Sequence, residues 1–134
     1  MIKMNMPEDY EDLLINSNFA HVATINPDGS PQVTPVWIDY NRIKNEVYIN
    51  TAKGRKKARN LEIGSKVALS IQDFEKPYRY IGIQGEVLEV TEEGARKHID
   101  KLAMKYLGQK EYPFYSGETR LIVKIKPKYV HTMG

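Results

Sequence analysis

Two hydrophobic periods alternate along this 134-residue chain. Over residues 7–16, Tyr10, Leu13 and Leu14 form a helical stripe, Pro7 suits a first turn, and Glu8, Asp9, Glu11 and Asp12 complement the helix dipole. The period then drops to two. FAHVATI (19–25) reads as a strand that stops at the turn tetrad Asn26-Pro27-Asp28-Gly29. PQVTPVWIDY (31–40) resumes extended character, with Val33, Pro35, Trp37 and Asp39 on one face and Thr34, Val36, Ile38 and Tyr40 on the other. Pro35 has no N–H for a central ladder, so it marks an edge or a bulge. EVYINT (46–51), KVALSIQD (66–73), YRYIGIQGEVLEV (78–90) and TRLIVKIKPKYVHTM (119–133) supply the remaining strands. Gly82 and Gly85 in the third of these mark a bend or a close backbone approach.

Helical spacing returns twice. RKKARNLEI (55–63) places Ala58 and Leu61 on one side, with Gly64 as its stop. The strongest helix opens at Thr91, Glu92 and Glu93, carries Ala95, Ile99, Leu102, Ala103 and Tyr106 on one face, and ends at Gly108. A Tyr/Pro-rich loop, QKEYPFYSGE, follows it. Six strands on mostly short turns with about three short helices predict a mainly β, α+β fold, a small antiparallel barrel. The length suits one domain over 1–134, burying roughly two-thirds of its unfolded surface.

Composition narrows the chemistry. There is no cysteine, hence no disulfide and no thiolate. No apolar run approaches the ~20 residues that span a bilayer, and the first residues lack the apolar core of a signal peptide. These features point to a cytoplasmic protein without a membrane partner. His21, His98 and His131 are far apart and no carboxylate spacing makes them a ligand set, so no metal is expected. His21 reads as a strand residue and His98 as an exposed position on its helix. There is no G-x-S-x-G, H-E-x-x-H or P-loop, and GIQG is not a dinucleotide fingerprint. Any redox chemistry must come from a bound cofactor.

Charge patterning asks for an anion. The chain is net +3, yet Lys53, Arg55, Lys56, Lys57 and Arg59 alone exceed that, so the rest is slightly acidic. A nucleic-acid binder usually spreads its basic residues over a broad face. Here the excess is one local cluster at a strand–Gly–helix junction. Cations in a first helical turn are unfavourable by roughly 0.3–1 kcal/mol each. A phosphate at that point would reverse the sign, while a solvated basic face is the alternative.

The ordered set ATINPDGSPQVTPVWIDY, VYINTAKGRKKARNL, VALSIQD and YIGIQGEVLEV resembles the pyridoxamine 5′-phosphate oxidase-like superfamily. More narrowly, it is similar to the flavin- and deazaflavin (coenzyme F420)-dependent split-barrel oxidoreductases, over about residues 19–90. The resemblance implies a six-stranded antiparallel split β-barrel and a homodimer holding FMN or F420 in a groove between subunits. Arg55 and Lys57 then match the family's G-R-x-K phosphate positions, and Arg59 and Asn60 its following R-N. Val36 and Trp37 match strand positions beside the isoalloxazine ring. Asn50, Thr51 and Ala52 match a strand end whose backbone and hydroxyl flank the ring and ribityl chain. Tyr80 and Gln84 fall on the strand that closes the pocket. The only tryptophan, Trp37, also has a plain reading as core.

Vitamin B6 oxidases of this superfamily extend past the barrel with a C-terminal Arg and Trp that hold the substrate, whereas this sequence stops just after PKYVHTM. Pyridoxamine phosphate is therefore not the expected substrate. The expected activity is hydride transfer between F420 or FMN and a small organic substrate, with no catalytic acid or base named. The alternatives are a cofactor-binding module without turnover and a β-barrel nucleic-acid binder. The last is disfavoured because the aromatics crowd into EKPYRY and KEYPFY, away from the cations. The partners expected are a second copy of the chain and a small molecule. Surplus charge at Lys53, Lys56 and Arg59 suits the oligoglutamate tail of F420 more than FMN.

Overall fold

The structure, a computed structural model, describes residues 6–134. The expectation that the first residues form no signal peptide falls in part on residues 1–5, which lie outside the described residues. A 3₁₀ turn (Glu8–Tyr10) leads into α1 (Glu11–Ile15). Then come β1 (Ala20–Ile25), β2 (Pro31–Val36), β3 (Ile38–Asn41) and β4 (Glu46–Ala52). After α2 (Lys56–Asn60), β5 (Lys66–Gln72) and β6 (Tyr80–Thr91) precede α3 (Ala95–Leu107) and β7 (Arg120–Met133). Among the described residues no helix is long and apolar enough to cross a membrane.

The seven strands form one antiparallel sheet in the order β2-β1-β5-β6-β7-β4-β3, curled into a half-barrel. Alternation in the sequence builds its inner face. Val47 and Ile49, Val67, Leu69 and Ile71, Ile81 and Ile83, and Val123 and Ile125 all point inward and are buried, with Leu13, Leu14 and Leu61 packed on them. Each such side chain contributes roughly 1.5–3 kcal/mol by leaving water.

One strand more is present than the hydrophobic pattern predicts. Residues 31–41 do not run as a single strand: β2 pairs with β1, β3 pairs with β4, and these pairs sit at opposite edges of the sheet. The chain crosses from one edge to the other through a single residue, Trp37. This crossing draws the two edges together and makes the seam of the half-barrel. Pro35, as its chemistry requires, lies on an edge strand.

Two glycines of β6 have distinct reasons. A Cβ on Gly85 would lie 2.7 Å from the Lys126 carbonyl oxygen and 2.8 Å from Ile125 Cγ2, where the β6–β7 register slips between Gln84 and Gly85. A Cβ on Gly82 would overlap the His131 ring. Strand β6 also runs on to Thr91, which pairs with Ile122, so α3 begins later than its acidic start signal implied, after Gly94 in the left-handed region (φ 75°).

Helix α3 is stitched to the seam. Tyr106 donates its hydroxyl to the Asn18 carbonyl (2.7 Å) and accepts the Ile38 N–H (3.1 Å). Lys105 Nζ donates to the carbonyls of Leu14 (2.8 Å) and Ile38 (2.7 Å), and burial holds its amine down at about 8.

Candidate functional site

A groove of about 270 Å³ opens at the seam, lined there by Phe19, Pro35, Val36 and Trp37. Ile99 of α3, together with Tyr112 and Phe114 of the following loop, supplies further apolar lining. The polar lining is Asn50, Arg55, Lys57 and Arg120. Trp37 is half-buried, stacked on Tyr106 (5.2 Å between centroids, 8° between planes) and in a T-shaped contact with Tyr112 (5.9 Å). Such contacts fix the indole as a rigid wall. The loop bearing Tyr112 is held in turn, since Asp100 accepts the Tyr112 N–H (2.8 Å) and pairs with Arg96 (2.6 Å).

The cations converge from two directions. Arg55 and Lys57 come from the junction at α2, and Arg120 opens β7 directly opposite Ala52 of β4. Arg120 is buried, with 3% of its side chain exposed; Nε donates to Asn50 Oδ1 (2.9 Å) and Nη1 to Glu118 (3.1 Å). Backbone N–H donation from Ser116 comes first among the causes holding the Glu118 carboxyl at about 2, with Arg120 adding to it. Burial, followed by the charges of Arg55 and Arg120, pushes the Lys57 amine down to about 8. Among the described residues no carboxylate pairs with Lys57. This arrangement is unfavourable by itself and favourable around an anion.

Helix α2 spans only five residues, Lys56–Asn60, against the nine read from the sequence. The macrodipole contribution shrinks accordingly, and side-chain charge carries the anion preference. Lys53, Lys56 and Arg59 are exposed and fringe the junction without lining the groove.

The remaining residues singled out from the sequence are dispersed. Asn60 donates its amide to Thr24 Oγ1 (3.2 Å) and Asn26 Oδ1 (2.9 Å), pinning α2 to β1 and its turn. Ala52 is buried and its carbonyl accepts the Arg55 N–H (3.3 Å). Thr51 is fully buried, two residues on from Ile49 on the core side of β4, and its hydroxyl has no hydrogen-bond partner among the described residues. Strand alternation thus turns that hydroxyl away from the groove, which Asn50 faces instead. Tyr80 meets His131 edge-on (5.8 Å), and Gln84 is exposed on the outer sheet face beside Ala23, Ala68 and Tyr129 in a second cavity of about 620 Å³. Within one chain neither lines the seam groove.

His98 corrects an expectation. It is buried rather than exposed, with Nδ1 facing Asn50 Nδ2 (3.1 Å) and Nε2 facing Asp39 Oδ2 (3.1 Å). Burial alone would raise the Asp39 carboxyl, but hydrogen bonds from His98 and Lys101 outweigh it and hold it at about 2. Position 98 follows Ala95 by three residues, so the helical spacing that found Ala95, Ile99 and Leu102 also includes it. Arg120 had no comparable signal, because its juxtaposition with Asn50 depends on β4–β7 register across 70 residues of sequence. No cluster of three or more His, Cys, Asp or Glu among the described residues could hold a metal ion.

Fold and groove together define a class, the split barrel with a cation-tipped, aromatic-walled groove at its seam. Residues 6–134 match the pyridoxamine 5′-phosphate oxidase family, and the chain belongs to it. A solved structure named F420 reductase is similar at 30% identity, covering 94% of this chain and 98% of its own, with a TM-score of 0.83. A conserved hypothetical protein from Mycobacterium tuberculosis superposes at 21% identity, over 99% of this chain and 88% of its own, with a TM-score of 0.72. General Stress Protein 26 from Bacillus anthracis does so at 16%, over 94% and 92%, with a TM-score of 0.68. At these lower identities the likeness speaks for the fold alone. No curated protein matches the sequence.

Proposed function

We propose that this chain is an oxidoreductase that uses F420, in preference to FMN, to exchange a hydride with a small organic substrate. One observation carries the reading: Arg55, Lys57 and Arg120 line the same groove as Trp37, Tyr112 and Phe114, with no carboxylate paired to Lys57 among the described residues. A phosphorylated, planar ring system fits this donor set, since the oxyanion relieves the cation repulsion and the ring takes the aromatic lining. When bound, such a cofactor supplies the hydride chemistry. The chain's own work is to fix the phosphate, flank the ring with Val36 and Trp37, and exclude water with the Tyr112–Phe114 loop.

F420 is preferred over FMN on two grounds. Lys53, Lys56 and Arg59 remain exposed beyond the groove, where they would attract a polycarboxylate tail. The similar structure at 30% identity is itself named F420 reductase. A groove of about 270 Å³ lies below the ~300–1,000 Å³ of ordinary ligand sites, which supports a reading in which a second copy of the chain completes the wall. Gln84 and Tyr80 then serve that wall from the outer face of the opposing sheet.

Titration of apo-protein with F420 and FMN at matched ionic strength tests the reading. Micromolar F420 binding is expected, followed by a change in the cofactor spectrum when a substrate is reduced. FMN bound at least tenfold tighter, about 1.4 kcal/mol, would exchange the cofactor, and no binding of either would sink the proposal. A binding module without turnover is the second reading, favoured by a groove lining that contains no carboxylate or imidazole. Cofactor binding with no oxidation of its reduced form by any of a panel of enones, quinones and imines would select it.

A further inference from the structure

Arg120 is the most enclosed cation of the groove, and everything that orients it is itself buried or hydrogen-bonded. A guanidinium only donates, so Asn50 must present Oδ1 to Arg120 Nε (2.9 Å). The amide nitrogen of Asn50 then has to face α3, where it donates to the Ala95 carbonyl (2.9 Å) and to His98 Nδ1 (3.1 Å). Accepting at Nδ1 puts the ring proton of His98 on Nε2, which donates to Asp39 Oδ2 (3.1 Å). Lys101 Nζ closes the chain on the same carboxylate oxygen (3.1 Å). Every donor and acceptor direction in the chain thus follows from one fact, that arginine has no acceptor.

We infer that Arg120 is a third oxyanion-holding side chain of the seam groove, and that Asn50, His98 and Asp39 are positioning residues that fix its guanidinium toward the ligand's phosphoryl group. This rests on the cofactor reading above but extends to residues that lie outside the G-R-x-K junction. Asn50 and Glu118 take two of the five guanidinium N–H donors, which leaves donors for an oxyanion in the groove that Arg120 lines. Arg120 Cζ lies over the Tyr112 ring, 5.3 Å from its centroid, a cation–π contact that adds to the two hydrogen bonds in orienting the fork. An arginine held on two sides in this way offers a bidentate geometry that a lysine would not reproduce. The ligand chemistry it selects is a phosphoryl oxyanion, whether the monoester of FMN or the diester of F420.

Calorimetry with inorganic phosphate, and fluorescence titration with FMN, riboflavin and F420, test the assignment on the full chain. Arg120→Leu should weaken phosphate and FMN binding by roughly 10- to 150-fold, one charge-assisted contact, while riboflavin, which has no phosphate, changes little. Arg120→Lys keeps the charge but loses the fork and should fall between. His98→Phe removes the acceptor from Asn50 and should weaken FMN by about tenfold, again sparing riboflavin. His98→Gln offers one acceptor and one donor, as the neutral ring does, and should restore most of the loss. FMN and F420 affected alike by Arg120→Leu would mark a site for the shared phosphoryl group; an effect on one alone identifies its source. The inference is overturned if Arg120→Leu leaves phosphate affinity unchanged. It is equally overturned if His98→Phe weakens riboflavin as much as FMN, or if His98→Gln is no better than His98→Phe. Arg120-dependent phosphate binding in a protein that takes up neither FMN nor F420 would support this inference while removing the cofactor reading.

Discussion

Lys57 shows how far a single residue can be read. Its place in a G-R-x-K run was legible in the sequence, but its environment was not: burial and the charges of Arg55 and Arg120 bring the amine down to about 8. The sign follows from linkage. The unfolded chain holds the proton up to the ordinary value of 10.5, the folded chain only up to about 8, so the unfolded state binds more protons between them and stability rises with pH across that window. Below about 8 the destabilising charge is fully present. An anion in the groove favours the protonated amine, so binding takes up a proton once the pH reaches about 8. Calorimetry of phosphate binding at pH 8.5 in two buffers of different ionisation enthalpy should report uptake of a substantial fraction of a proton per ligand. Identical apparent enthalpies in both buffers would refute it. Lys57→Met should in turn raise the stability of the apo-protein by about 1 kcal/mol while weakening the anion site, a trade common where function strains the fold.

At the level of elements, period-two and period-3.6 patterning located the helices and strands of the described residues but read β2 and β3 as one, missing the junction at Trp37 where one extended run serves two edges of the sheet. Hydrophobic alternation continues unbroken through that residue, so nothing local reports that the ladder partner changes from β1 to β4. The glycines of β6 were visible as a bend but not as unequal ones. A methyl at Gly85 meets the Lys126 backbone carbonyl and Ile125, neither of which can swing aside, whereas at Gly82 it meets an exposed, movable imidazole. Gly85→Ala should therefore cost about 2–3 kcal/mol and Gly82→Ala no more than about 1. Denaturant melts of the two variants would reverse this ranking only if the register slip at Gln84–Gly85 relaxes without loss of pairing.

For the whole molecule, the outer face of β1, β2, β5 and β6 bears on assembly. Ala23 pairs with Val33 and with Ala68, and Ala68 with Gln84, giving a small-residue row flanked by exposed Ile25, Val33 and Tyr129. A second copy seated there, as proposed above, would close an apolar patch and the cavity of about 620 Å³ at once. Light scattering should give twice the 15.5 kDa chain mass at micromolar concentration. Ala68→Arg should yield monomers with at least tenfold weaker cofactor binding, about 1.4 kcal/mol. A parent protein that is monomeric and still binds cofactor tightly would exclude the shared groove. The family resemblance implied a homodimer but not which face would form it, because a face exists only once strand order is known.

The placement of β7 between β6 and β4 has a consequence for how the chain is made. β3 and β4 leave the ribosome early but have no ladder to the rest of the sheet until β7 arrives, with Asn50 and Arg120 separated by 70 positions. Pairings of such long sequence separation close late and fold slowly, since loop entropy is lost before contacts repay it. The β3–β4 hairpin must wait through that interval, with Val47 and Ile49 uncovered, before the groove exists at all. The groove therefore cannot be complete before β7 pairs with β4. A nascent chain short of Arg120 carries the G-R-x-K junction with nowhere to put a phosphate, and its exposed hairpin makes that stage the one at which chaperone capture or misassembly competes with completion.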